Sequence, residues 1–239
     1  MIKHIVTVFV FQSITLSSFC QKSEFNLNVY SGLFSYTGNG AAGTSIINYG
    51  IYTPTPYTTN VYGNKPGFSI SFGGEAVSVT KSKVLYGAGL SYDLLESKIK
   101  IDKVQYSPEV VVAGQSYLYD ANGSTRLRNT YFNINPFIGR RFLKNGMTID
   151  LSSGIDIGIC LKNVEQGNAT ITATNDVIST NVTHPHPSID IRPRIQLKAG
   201  YKRAGIIIGY SPGLTNYQST KGSKAYTSFM RLGFSYRIK

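Results

Sequence analysis

In residues 147 to 161, MTIDLSSGIDIGICL, the side chains of Met147, Ile149, Leu151, Ile155, Ile157, Ile159 and Leu161 are apolar, and Asp150, Ser152, Gly154, Asp156 and Gly158 alternate with them. A period of two places one set on each face of a β-strand, whereas a helix would scatter both around its axis. The same alternation recurs in eight segments, at about 22–36, 66–79, 84–97, 129–143, 147–162, 188–201, 204–212 and 225–239. A chain that repeats the pattern this often must bring all its oily faces to one place.

The connections decide the topology. Three are tight turns (TKSK, KNG and KR), and they alternate with long polar stretches at 37–65, 98–128, 163–187 and 213–224. Short and long connections therefore fall at opposite ends of an up-and-down meander. The expected fold is all-β: an eight-stranded antiparallel transmembrane β-barrel with long extracellular loops. Alternation alone also fits a secreted lipocalin-like carrier, which turns its oily face inward around an apolar ligand. Three features favour lipid outside. The polar faces are rich in Gly and Ser, as a narrow lumen requires. Tyr86, Phe132, Phe142, Tyr201, Tyr210, Tyr226 and Tyr236 lie toward the ends of oily faces, where an aromatic girdle would stand. The connections are also more lopsided than a ligand carrier needs.

Residues 1–20 read as a signal peptide: Lys3 and His4 precede the apolar run IVTVFVFQSITL, and Ser18 and Cys20 suit cleavage before Gln21. A lipoprotein acylated at Cys20 is the alternative, disfavoured by Phe19. The barrel domain is then 21–239, with Cys160 its only cysteine, so no intrachain disulfide can form. Beyond the signal, no apolar run approaches the roughly 20 residues of a membrane-spanning helix.

Some residues fit an ideal strand badly. Pro136 and Pro193 fall mid-strand and predict local bulges, and the apolar phase of FSISFGGEAVSV changes after Phe72, predicting a bulge near Gly73 and Gly74. Parity aims Phe137 and Phe229 at the lumen and Arg140 at lipid.

The stretches SSFCQKSEFNLNVYSGLFSY, VLYGAGLSYDLL and YFNINPFIGRRFLKNGMTIDLSSGIDIGI, with the closing RLGFSYRIK, resemble the small outer-membrane β-barrels of Bacteroidetes type, the PorT-like or outer-membrane-barrel domain family. The resemblance covers the whole chain after the signal. It implies the outer membrane and a role in secretion or envelope assembly, with envelope proteins as partners.

By parity the lumen holds Glu24, Asp93, Asp150, Asp156 and Asp190 against Arg141, Arg192, Arg194, Lys198, Arg231 and Arg237. Five acids facing six bases read as a mutually paired plug; an ion-selective path is the alternative. Without Lys3 the chain carries 23 bases against 12 acids, and the excess sits in the connections: Lys98, Lys100, Lys103, Arg126, Arg128, Lys221 and Lys224 outside, Lys81, Lys83, Lys144 and Lys202 on the turns. Outward bases suit anionic lipopolysaccharide or another polyanion, or are simply solvated. No nucleic-acid motif accompanies them. His184 and His186 could clasp a metal, or serve a lipid A-modifying enzyme together with Ser188 and Asp190, but Pro185 and Pro187 make a stiff loop the simpler reading. Cys160 reads as a buried small side chain. The expected function is therefore non-enzymatic: a membrane anchor whose loops 37–65, 98–128 and 163–187 carry recognition. No catalytic, cofactor or metal residue is assigned.

Overall fold

The computed structural model describes residues 20–50, 53–107, 117–218, 220 and 222–239. The expected signal peptide lies outside them except for Cys20. Among the described residues there are eleven strands and no helix: β1 (Cys20–Thr37), β2 (Thr44–Gly50), β3 (Thr53–Thr58), β4 (Lys65–Thr80), β5 (Val84–Ser107), β6 (Tyr117–Lys144), β7 (Met147–Ile171), β8 (Val177–Thr183), β9 (Ile189–Tyr201), β10 (Ala204–Pro212) and β11 (Tyr226–Arg237).

Eight of these close a ring in the order β1, β4, β5, β6, β7, β9, β10, β11. Closure runs through β1 and β11, from Asn26 opposite Arg237 to Thr37 opposite Tyr226. Every neighbour in the ring is antiparallel, so no edge is left along it. The expected short connections are its tight turns. Asn145 (φ 50°) and Gly146 (φ 76°) both adopt positive φ between β6 and β7, the geometry whose twist matches that of the flanking strands.

All eight expected strands are present, and the phase holds as read in all of them but β4. On β7 the side chains of Met147, Leu151, Ile155, Ile159 and Leu161 point out and are exposed, while Asp150, Ser152, Asp156 and Cys160 are buried within. The inside-out arrangement of a ligand carrier is thus not adopted. Phe137 and Phe229 point inward, and Arg140 points outward, as expected.

Two expectations fail. No bulge occurs at Gly73 and Gly74: β4 keeps one register with β1 and β5 from Ile70 to Val79. The hydropathy changes there because Val77 and Val79 pack inward on Leu85 and Phe137 while Gly74, Ala76 and Ser78 take the outer face. Nor do Pro136 and Pro193 create bulges. The β6–β7 ladder lapses at residues 135 and 136 and resumes at Phe137 in the same register. Pro193 keeps its place opposite Ile155, and the β9–β10 ladder has already ended at Ile195, so its missing N–H deprives no partner strand.

The larger surprise is in the long connections. Segments expected as loops extend the ladders: β5 runs to Ser107, β6 begins at Tyr117 and β7 continues to Ile171. β2 adds in parallel to the end of β5, β3 pairs with β2, and β8 pairs with β7. In this extension the faces exchange. Ile47, Ile99, Ile101, Val104, Ala121, Ala169 and Ile171 form a buried apolar core inside it. Lys98, Lys100, Ser124, Arg126, Arg128, Gln166 and Asn168 take the outer side, where the ring below carries Tyr92, Phe132 and Ile159.

Candidate functional site

The ring interior is built in charged layers, because each strand sends every second residue inward and those residues are polar. Nearest the tight turns, Arg141 donates to both oxygens of Glu24 at 2.9 Å and to Asp150 at 2.7 and 2.8 Å. Arg237 approaches Glu24 at 3.3 Å. Above this layer Asp156 accepts from Asn135 at 2.9 Å and Ser211 at 3.0 Å, pairs with Arg194 at 3.3 Å, and is bonded by Arg231. Lys198 donates to Glu75 at 3.0 Å. Higher still, Arg192 is fully buried between Asp93 and Asp190, each 3.7 Å away, donates to Asn133 at 2.7 Å and lies over the Tyr131 ring.

All eleven lumen charges expected from parity are brought to the interior, Arg237 near its rim. Glu75 was missed, since the apparent phase change at Gly73 set it outside. With Glu75 six acids meet six bases, so the interior compensates itself. One space among these layers, bounded by Asn28, Tyr30, Glu75, Ser91, Asn135 and Arg194, has about 10 Å³, room for about one water.

Where the ring meets the extension, apolar and aromatic side chains fill the bore. Phe34, Tyr36, Leu95, Leu127, Tyr131 and Phe229 come from the strands, and Val61 and Tyr217 fold in from connections. Tyr36 donates to Asn129 at 2.9 Å, Tyr62 donates to the Tyr217 carbonyl at 2.8 Å, and the Tyr131 and Tyr217 hydroxyls bond each other. Cys160 lies in this cluster as a buried thiol, as expected.

The extension is fastened at one seam. Glu165 of β7 is fully buried, accepts from the Thr58 amide of β3 at 3.1 Å and from its hydroxyl, and meets His184 Nε2 at 2.7 Å. Burial pushes the Glu165 carboxyl up, but the hydrogen bonds from His184 and Thr58 outweigh it and hold it below the usual carboxylate range. Thr58 turns its N–H away from β2, and Pro54 and Pro56, which share its parity, have none. β3 and β8 therefore lie side by side without a ladder between them. His186 contacts the Pro187 carbonyl at 3.2 Å, while Asp190 belongs to Arg192 and Thr227. The structure thus does not gather His184, His186, Ser188 and Asp190 into one site, and among the described residues no cluster of three or more acidic, His or Cys ligands occurs.

The outer face of the extension carries a row of bases. In register across three strands stand Lys65, Lys98 and Arg126, followed by Gln166 on β7. Below them Glu96 faces Arg128, and above them Lys100 faces Ser124. Glu96 serves both arginines, Arg128 at 3.3 Å and Arg126 at 3.7 Å, and both arginine side chains stay more than half exposed. A cleft of about 270 Å³ opens between Glu96, Ser124, Arg126, Arg128, Gln166 and Asn168.

The sequence matches no protein-family model and no curated relative. Among solved structures it is similar to Neisserial surface protein A (TM-score 0.40, 7% identity, covering 90% of this chain and 99% of that one). It is also similar to Ail, the attachment invasion locus protein of Yersinia pestis, solved with the heparin analogue sucrose octasulfate (TM-score 0.37, 10% identity, 91% and 100% covered). A Pseudomonas aeruginosa FadL homologue overlaps less well (TM-score 0.20, 7% identity, 90% and 89% covered).

Proposed function

We propose that the chain is an outer-membrane β-barrel protein whose ring is a closed anchor and whose extension is a rigid extracellular recognition module. The observation that carries this is the exchange of faces along single strands. Outside the ring Phe234 is 71%, Phe68 63% and Ile138 62% exposed, amid a continuous band of exposed Leu, Ile and Val, while the same strands bury charges within. Water would not tolerate that band, and hydrocarbon would. Farther along β5, β6 and β7 the oily side turns inward and the polar side out, as water demands. The level of the exchange is read as the membrane surface.

The paired charge layers and the aromatic fill support anchoring over solute passage, since a path would need to break both. His184 is committed to Glu165 and Asp190 to Arg192, which favours binding over catalysis. Removal of residues 1–20 on export, and a partnership with secretion or envelope-assembly proteins of the kind the PorT-like resemblance implies, complete the reading. Fractionation with heat-modifiable gel migration, followed by planar-bilayer recording, tests it. A membrane-bound, heat-modifiable and non-conducting protein supports the reading; a water-soluble protein, or steady ion conductance, overturns it.

A further inference from the structure

We propose that the row formed by Lys65, Lys98, Arg126 and Arg128 is a binding site for the phosphates of an outer-leaflet lipid, which lies with its acyl chains on the apolar wall below. The inference rests on the barrel reading above and names the partner of one face of its extension.

Like charges directly opposite each other across a sheet repel, and here Lys65 faces Lys98, which faces Arg126. Lys100 stands two residues above Lys98, and Lys162 pairs with Thr130 just below Arg128. Six cations thus crowd around one paired carboxylate, Glu96, whose two oxygens are divided between Arg126 and Arg128. Such a patch is relieved by an anion with several oxygens, and exposed arginine forks suit phosphate.

The patch is concentrated in one sector. At the same end of the ring, the outward positions within β1, β10 and β11 are uncharged, namely Ser35 and Thr37, Tyr210 and Pro212, Tyr226 and Ser228, and the exposed Lys224 just before β11 stands apart from the row. Solvation of loops would not concentrate six bases on four neighbouring strands. Its height selects the ligand. Ile70 and Leu94, with Leu161 on β7, form the last apolar level, and Arg128 lies two residues above Thr130, the partner of Leu94, about 7 Å along the strand. The bases thus stand directly above the apolar wall, so an amphiphile would satisfy both surfaces at once while a free polyanion would use only the upper one. Ser124, Gln166 and Asn168 line the cleft beside the arginines and supply neutral donors and acceptors for a sugar headgroup.

The full chain is inserted into phosphatidylcholine vesicles with or without lipid A, extracted in detergent, washed, and assayed for retained lipid A by mass spectrometry. Retention is expected for the wild type. It should weaken about fivefold for either arginine changed to Ala and about thirtyfold for Arg126→Ala/Arg128→Ala, from the attraction each surface base contributes. Dephosphorylated lipid A should be retained no better than phosphatidylcholine, and excess soluble heparin or inorganic phosphate should not displace the lipid. Unchanged retention in the double variant, equal retention of the dephosphorylated lipid, or displacement by soluble heparin overturns the proposal, the last assigning the row to a polyanion. Lys98→Ala/Lys100→Ala carries the same test if the first pair fails to insert. Failure of the wild type to insert sinks the barrel reading instead, so the two failures are distinguishable.

Discussion

Replacing Ile155 by Arg should be among the costliest single changes on the outer surface. Ile155 lies on β7 beside Pro193, eight residues from Met147 and six from Leu161, the outward limits of the apolar side of that strand. At about 3.3 Å per residue and a strand tilt near 40°, this sets it about 20 Å from one limit and about 15 Å from the other. An Arg that deep on the lipid face costs ~2–4 kcal/mol. Asn168 offers a matched control: it is exposed on the outer side of the same strand in the extension, where Arg meets water and the change should stay within about 0.5 kcal/mol. The chain has no tryptophan, so the folded fraction in vesicles across a guanidinium series is best read from heat-modifiable gel migration. If Ile155→Arg costs no more than Asn168→Arg, the outer side of the ring does not face hydrocarbon and the depth reasoning fails.

Three further outcomes follow from the same geometry. Arg192→Met should destabilise by ~3–5 kcal/mol, because it strands Asp93 and Asp190 in the interior, and adding Asp190→Asn should recover part of that loss in the same unfolding assay. The Glu165 carboxyl is held below its usual range, so its contribution to holding β3 is present above the unfolded-state value and is lost as pH falls through the carboxylate range toward the folded value. Protection of the Thr58 amide from hydrogen exchange, taken relative to the intrinsic rate at each pH, should therefore fall on acidification, and Glu165→Gln should show little protection already at neutral pH with no further loss in acid. A protection factor at Thr58 that ignores both changes would remove Glu165 as the fastener.

The ring was legible because its signal is redundant. Each strand repeats one period, and a slip by one residue would push Asp150 or Asp156 into the oily side, so the phase admits one answer. The misjudged places are those where hydropathy and facing part company. At Gly74, Ala76 and Ser78 the outer face is filled by small residues while Val77 and Val79 turn in, which hid Glu75 among the lumen charges. In the extension the alternation continues, as in Ser97, Lys98, Ile99, Lys100 and Ile101, but its sense is reversed relative to the ring. A reading that expects the oily side always outward ends the strand there, although the unbroken period was a sign that it went on. Pro136 and Pro193 were legible as interruptions, but not that Pro136 lapses its ladder without shifting register or that Pro193 costs none, because the latter depends on where the β9–β10 ladder ends. The Glu165 and His184 pair joins residues from β7 and the end of β8 to Thr58 of β3, a meeting that no local spacing announces.

The central claim is that a single strand passes from oil outside to water outside between Leu161 and Gln166. Since the native chain lacks tryptophan, Ile155→Trp and Asn168→Trp each report from one position with no background. In vesicles carrying brominated acyl chains, the account predicts strong quenching at position 155 and none at 168, with aqueous iodide giving the opposite order. Iodide quenching at 155 as strong as at 168, with no effect of the brominated lipid, would contradict it.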